Sequence, residues 1–572
     1  MIQLNTDNFN MSTDDHMLPN DADIFDSLNQ RLSLIFSNYI KNGQESKDFV
    51  LEYLKPEQLI DLISPEPPLQ GKGEQGIIAD IQNILKYSPN TWNPGFMHKL
   101  YSSTSAIGVV GELVATIING NSHVYVASPV ASVIEVLLSK KLGALFGYNE
   151  SICGGLTCPG GSASNNMALL VARNTYFPYA AEHGFALSYS EKIKFNFKQP
   201  VAFTSNQCHY SIEKSMMMLG LGKKNLEYVN CNINGAMDTI DLENRIKNAI
   251  LQGKRPFFVN ATAGTTVLGQ FDPILKLSQI CQKYDIWLHV DASLGGSLIF
   301  SKSETTLNLL NGTAKSNSIT FNSHKLLGVP LQCSYLLFRD GLDNVRAQVS
   351  SNANYLFHDD QDDINNSLAF SPNDQQTLSN NNFNSSNKKS LLLNQYSAES
   401  WDIGNATIGC GRKPDSIKMW LSWRYFGTNG FASRVDNSLN SSSSFATLIK
   451  SSPNFILFRE PISNLVCFYH IPISQRNDPD LNPILNLTSS HDNSFLNFPD
   501  VLATYTKSIT ALLNKQGKLL VDFASINLFD HDGSLVRIPE FFRIPFNSPF
   551  FNIDHLQFII DQIEIASATI YP

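Results

Sequence analysis

Two charged side chains at the ends of apolar runs set the chemistry to look for. Asn322-Ser323-His324-Lys325 follows the strand-like Ser318-Ile319-Thr320-Phe321 and precedes the turn Leu326-Leu327-Gly328. His289-Val290-Asp291 ends a second such run, Ile286-Trp287-Leu288. A lysine behind an apolar strand is unusual, because taking an ammonium out of water is costly. The same desolvation lowers its pKa and makes the amine a usable nucleophile. A carboxylate at a nearby strand end, facing that amine, suits a pyridine nitrogen that must stay protonated. The pair points to pyridoxal phosphate, with Lys325 on the aldehyde carbon and Asp291 on the ring nitrogen. Alone, the triplet Ser-His-Lys is more often a solvated surface lysine, so the weight falls on other segments.

Those segments must hold an anion and align several strand ends. Cys158-Pro159-Gly160-Gly161-Ser162-Ala163-Ser164-Asn165 runs into the apolar Met167-Ala168-Leu169-Leu170-Val171-Ala172. A glycine turn that opens a helix offers free N–H groups and a positive dipole end to a phosphate, with Ser162 and Ser164 adding hydroxyl donors; a plain loop with capping serines reads the same way. Beyond it strands and helices alternate. Strands are predicted at 201–204, 226–229, 257–259 and 286–290, with helices over 211–219, 238–251 and 272–284. Such βαβ units imply a mostly parallel sheet covered on both faces, with ligands at the carboxyl ends of the strands. Asn260, Thr262, Asp291 and Asn322 fall there, and His209 lies in the loop after Thr204. Earlier, Ser128-Pro129 predicts a capped helix start, and the stripe Val130, Val133, Ile134, Leu137, Leu138, Leu142 reads as core.

The 572 residues exceed one ordinary domain, and 42% apolar with 16% charged composition fits a soluble globular chain. A net charge of −9 leaves no footprint for nucleic acid or anionic lipid, and no run reaches the ~20 apolar residues that span a bilayer. The acidic N-terminus, with Arg31 its first Lys or Arg, argues against secretory and mitochondrial leaders. Eight scattered cysteines fit reduced thiols in the cytoplasm, and Cys153 and Cys158 lack partners for a metal site. The expected organisation is a disordered tail over 1–25 and a helical N-terminal arm over 26–105. A large cofactor-binding α/β domain follows over 106–358, an Asn-rich low-complexity insertion over 359–394, and a small α+β domain over 395–572. In the last, strands are predicted at 454–458, 466–469, 519–523 and 540–544, and a helix over 553–563. Arg543 stands within an apolar strand, and a snorkelling or paired arginine and a carboxylate clamp fit its spacing about equally.

In combination these motifs resemble the pyridoxal phosphate-dependent group II amino-acid decarboxylases, in the branch of the glutamate and cysteine-sulfinate enzymes and their fungal relatives. The likeness runs from about Asn93 to the C-terminus, outside the insertion. It is carried by Pro159 to Asn165, His209-Tyr210-Ser211-Ile212, Asn260 to Thr266, His289-Val290-Asp291-Ala292 and His324 to Ser334. It implies the type I aminotransferase fold and an obligate homodimer with sites at the interface. It also implies roles: Lys325 joins the cofactor covalently, Asp291 pairs with the ring nitrogen, and His209 stacks on the ring with Thr262 on the other side. Ala163, Ser164 and Asn322 help hold the phosphate, and His324 belongs to the cofactor motif. Tyr355 is the mobile-loop proton donor, and Arg543 binds a substrate carboxylate. The departures are Ser323 for a proline, Leu294 for a tryptophan, and Lys99 and Tyr101 where the glutamate enzymes carry glutamine and serine. Lys99 favours an acidic side chain and Tyr101 narrows the space. The expected reaction is α-decarboxylation of an acidic amino acid, glutamate first, with cysteine sulfinate and aspartate as alternatives. Another reaction on the same scaffold, and a binding protein without turnover, are the rival readings.

Overall fold

The computed structural model describes residues 20–45, 49–101, 103–350, 401–481, 498–530 and 533–572. The predicted Tyr355 and the insertion over 359–394 lie outside them.

Seven strands form the central sheet: β1 (Gly154–Cys158), β2 (Pro200–Ser205), β3 (Leu226–Val229), β4 (Arg255–Thr262), β5 (Trp287–Ala292), β6 (Ser318–Asn322) and β7 (Ser334–Phe338). Their order is β1-β7-β6-β5-β4-β2-β3. Strands β2 to β6 pair in parallel, while β7 runs antiparallel to both of its neighbours. Every residue of β2, β5 and β6 is buried, as a sheet covered on both faces requires. The expected α/β architecture is present, and all five strands read from the sequence in this region are found.

Two strands were not legible as such. Gly154 and Gly155 in β1 have low strand propensity. They are there for close approach: a Cβ on Gly155 would lie 2.6 Å from the Leu336 carbonyl oxygen. The run Ser334–Phe338 is too short for periodicity to separate strand from helix. The helix Pro129–Leu145 begins as predicted at Pro129, but Ser128 makes no side-chain capping bond. Its stripe is not all core. Ile134, Leu138 and Leu142 are buried, whereas Val130 is 67% exposed beside Tyr125 and Trp420 on the surface.

The N-terminal arm is helical at Asp21–Gln44, Pro56–Ile63 and Gly73–Tyr87. The first helix starts inside the segment expected to be a tail, because the Asn20 side chain caps Ala22 N–H and Asp21 and Asp23 suit its positive end. The small domain is an antiparallel sheet, β10-β11-β9-β8, of β8 (Phe455–Leu457), β9 (Leu465–His470), β10 (Asp522–Phe529) and β11 (Leu535–Pro545). The third of these starts later than predicted. Leu519 and Leu520 instead meet the N-terminal segment, where Met97 N–H donates to the Leu520 carbonyl at 2.9 Å. The segment Ser416–Ser451, helical except at Gly427 (φ 65°), joins the two domains. Phe431 and Val435 enter the large core, Phe445 and Ile449 the small one.

A buried ion pair locks the edge of the large sheet. Glu135, fully buried on the helix Pro129–Leu145, accepts from Thr157 N–H at 2.6 Å and from Arg412 Nη2. Arg412 also donates to the Ser122 carbonyl at 2.6 Å. Removing one partner strands the other charge, so Glu135→Ala should cost about 3–5 kcal/mol, read by denaturant unfolding. Buried histidines make the fold acid-sensitive. Burial holds His324 at about 4 and His470 at about 3, and lowers His289. A histidine whose folded pKa is depressed binds its proton more readily unfolded, so stability falls as pH drops from about 6.5 toward 4. Asp272, raised by burial to about 6, acts in the opposite sense and offsets roughly one of the three. Thermal midpoints should therefore fall steadily between about pH 6.5 and pH 4.5, and a flat profile would contradict the neutral assignments.

Candidate active site

Parallel pairing sets the strand ends side by side. Thr262 of β4 is in register with Asp291 of β5, and Asp291 with Thr320 of β6. The turn Ser323–Leu326 then carries Lys325. It is fastened to the segment entering β7. The buried Ser323 hydroxyl donates to the Cys333 carbonyl at 3.2 Å, and Cys333 N–H donates to His324 Nδ1 at 3.1 Å. The serine that departs from the family pattern thus gains a bond that proline cannot make. Lys325 keeps partial access to the cavity. Burial lowers its pKa and the Arg543 charge lowers it further, against the pull of Asp291.

Asp291 is 4% exposed. Burial alone would raise its pKa, but hydrogen bonds from Ser293 and Asn165 and the positive charge of Lys325 hold it below the usual range. Ser293 N–H donates to Oδ1 at 3.1 Å and Asn165 Nδ2 to Oδ2 at 2.8 Å. His209 is kept neutral by burial, with Lys325 adding to the downward shift and Asp291 opposing it. Its Nδ1 lies 2.9 Å from Ser211 Oγ. Lysine, aspartate and histidine therefore lie close enough to shift one another's pKa.

The helix Gly161–Tyr176 points its N-terminus at the same place. Gly160, at φ 92°, makes the tight entry that a side chain would strain. A Cβ on Gly161 would lie 2.6 Å from Ser293 Oγ and 2.8 Å from Asn322 Nδ2, so the turn and the β6 end close on each other. Ala163 sits partly buried in the first turn, and the Ser164 hydroxyl is shared with Ser334 Oγ at 2.8 Å. Among the described residues Asn322 Oδ1 and Thr262 Oγ1 are buried and have no hydrogen-bond partner. Such orphaned groups around a helix N-terminus fit a bound phosphate ester with polar ring substituents.

At the far side stand the residues assigned to substrate. Arg543 on β11 is 6% exposed. It donates through Nη1 to the Thr266 carbonyl at 2.8 Å and through Nη2 to Asp522 Oδ2 at 3.0 Å, while Nε is buried with no partner among the described residues. Lys99 Nζ donates to the same Asp522 oxygen at 3.1 Å. Asp522 was not singled out from the sequence; an acidic residue opening a strand carries no signal until the fold brings it to two cations. Tyr101 packs its ring on Phe96, with centroids 5.5 Å apart, beside Val50 and Leu520. Asn165, Ser211 and Thr320 were also missed, because their bonds depend on strand register. Among the described residues no group of three or more His, Cys, Asp or Glu is placed to hold a metal ion.

Known proteins are similar to this chain in sequence and fold. The family described as "Pyridoxal-dependent decarboxylase conserved domain" matches residues 56–377 and 373–471. An L-aspartate decarboxylase of Metarhizium robertsii is 39% identical over 408 residues, covering 71% of this chain and 72% of that protein. An acidic amino acid decarboxylase of Bos taurus is 30% identical, covering 93% and 89%. A cysteine sulfinic acid decarboxylase of Rattus norvegicus is 33% identical, covering 77% and 80%. The crystal structure of mouse CSAD superposes with a TM-score of 0.79 at 28% identity, over 96% of this chain and 99% of that one. Rice TDC with PLP and tryptamine shares the fold at a TM-score of 0.75 and 19% identity, over 97% of this chain and 99% of that one. This chain belongs to the pyridoxal-dependent decarboxylases.

Proposed function

We propose that this protein removes the α-carboxyl group of an amino acid whose side-chain anion sits directly on Cβ, aspartate or cysteine sulfinate, in preference to glutamate. The observation that carries this reading is the cluster Arg543–Asp522–Lys99, whose arginine is near enough to lower the Lys325 pKa. Two cations with one internal carboxylate leave a single positive charge to meet one side-chain anion. Asp522 also occupies room that a longer acid would need. The named activities of the similar proteins from Metarhizium robertsii and Rattus norvegicus support the same choice.

When bound, pyridoxal phosphate supplies an electron sink for the pair left behind as carbon dioxide departs. The chain supplies the rest. Lys325 would hold the cofactor. Asp291, ionised and fixed by two donors, would keep the ring nitrogen protonated. Neutral His209 and Thr262 would flank the ring. The N–H groups near Ala163 and Ser164, with Asn322, would hold the phosphate. The buried His324 ring braces the lysine turn. Arg543 fixes the substrate's distal anion, so that the α-carboxylate stands across the ring plane, the alignment that selects decarboxylation over transamination. Tyr355, assigned by family resemblance alone, returns a proton to Cα.

The reading includes a homodimer in the cytoplasm. The helix Ala106–Ile118 exposes Val109, Val110, Leu113 and Ile117, and Val130 and Trp420 expose further apolar surface nearby. A face this apolar suits a second copy of the chain. All eight cysteines are unpaired, as a reducing compartment allows. No described helix is long and apolar enough to cross a membrane.

Cofactor-loaded protein offered aspartate, cysteine sulfinate and glutamate separately should favour one of the first two. One methylene in a fitted pocket is worth roughly 10–200-fold, so kcat/KM for glutamate should be lower by at least about tenfold. Lys325→Ala should abolish turnover on all three. Arg543→Met should lower kcat/KM by roughly 30–1,000-fold, mostly through KM, since it leaves the distal anion without its buried partner. Equal rates on all three acids would contradict the proposed selectivity.

A further inference from the structure

Behind the cavity lies a chain of buried polar side chains whose hydrogens can be placed by elimination. Trp287 Nε1–H can only donate, and it meets Ser318 Oγ at 2.9 Å. The Ser318 hydroxyl hydrogen is therefore free for His289 Nδ1 at 2.8 Å. With Nδ1 accepting, the neutral His289 ring carries its proton on Nε2 and donates to Asn165 Oδ1 at 3.1 Å. Thr320 Oγ1 donates to the same oxygen at 2.8 Å. Asn165 Nδ2 then spends one hydrogen on Asp291 Oδ2 at 2.8 Å and the other on Ser211 Oγ at 3.0 Å. Because that oxygen accepts, the Ser211 hydroxyl donates to His209 Nδ1 at 2.9 Å, and Ser211 N–H points at the same nitrogen at 3.3 Å. His209 is thereby fixed with its proton on Nε2.

The directions agree at every link, and they leave Asn165 no alternative. Its amide nitrogen must face Asp291, because an ionised carboxylate only accepts. Its oxygen must face two donors. Asn165 and His289 are almost wholly buried, at 1% and 0% exposure, so water cannot substitute.

We propose that Asn165 is a positioning residue that joins Asp291 and His209, the two groups gripping the cofactor ring, into one hydrogen-bonded unit backed by neutral His289. Through it the carboxylate is held ionised and the histidine tautomer is chosen together. This rests on the assignment of Asp291 to the ring nitrogen.

The test uses the full-length protein with pyridoxal phosphate as the probe. Cofactor dissociation constants and the pH dependence of the bound cofactor's visible absorbance are measured for Asn165→Asp, Asn165→Leu, Ser211→Ala and Asp291→Asn. Thermal midpoints of the cofactor-free forms report folding. Asn165→Asp sets two carboxyl groups against each other. It should weaken cofactor binding by roughly 10–100-fold, as loss of an outer-shell partner does at other tightly held groups. It should also move the absorbance midpoint upward by about half a pH unit or more, through the added negative charge. Ser211→Ala cuts only the branch to His209 and should move both quantities in the same direction as Asn165→Leu, but less. It keeps the test decisive if the leucine variant does not fold. Parent-like affinity and midpoint in both Asn165→Asp and Ser211→Ala, with Asp291→Asn changed, would overturn the linkage alone. Parent-like values in Asp291→Asn would overturn it together with the assignment of Asp291.

Discussion

The site depends on keeping one carboxylate ionised inside a dry sheet. Asp291 lies where every neighbouring strand residue is buried, and desolvation alone would protonate it. Nearby Lys325 adds favourable field, but the directed bonds from Ser293 and Asn165 do the local work. Those bonds exist because β4, β5 and β6 run parallel and end together. They also need the helix Gly161–Tyr176 to drop Asn165 onto the sheet at that level. The same glycine turn that aims the helix at a phosphate also places the side chain that steadies the carboxylate.

The cavity closes only when distant parts of the chain meet. Lys99 arrives from the N-terminal segment, which is stitched to Leu520 by paired backbone bonds. Arg543 arrives from the small domain and rests on the Thr266 carbonyl of the large one. Asp522 ties both to one oxygen. The Lys99–Asp522–Arg543 cluster is thus assembled from distant segments, while Asp291 and Lys325 belong to the large sheet and the turn that follows it.

Much of this was legible in the sequence where local physics decides. Short apolar runs between turns mark β2 and β5, periodicity marks the helix Thr239–Leu251, and Lys325 and Asp291 stand out as charges at apolar strand ends. What escaped depends on contacts made far along the chain. Gly154-Gly155 looks like a loop until the Leu336 backbone is seen against it. Val130 looks like core until the helix is found with that face on the surface. Asp522, Ser211 and Thr320 are ordinary polar residues whose meaning comes from register. Arg543, open between two readings from spacing, is in the structure paired with Asp522, and its charge lowers the Lys325 pKa.

The account stands or falls on which carboxyl group leaves. Aspartate isotopically labelled at the α-carboxyl carbon, or separately at the β-carboxyl carbon, can be given to the cofactor-loaded protein and the released carbon dioxide analysed. Arg543 and Lys99 should hold the β-carboxylate away from the ring, so label should appear only from the α-position, with β-alanine as the other product. Labelled carbon dioxide from the β-position, or a keto acid in place of the amine, would contradict the proposed orientation of substrate in this site.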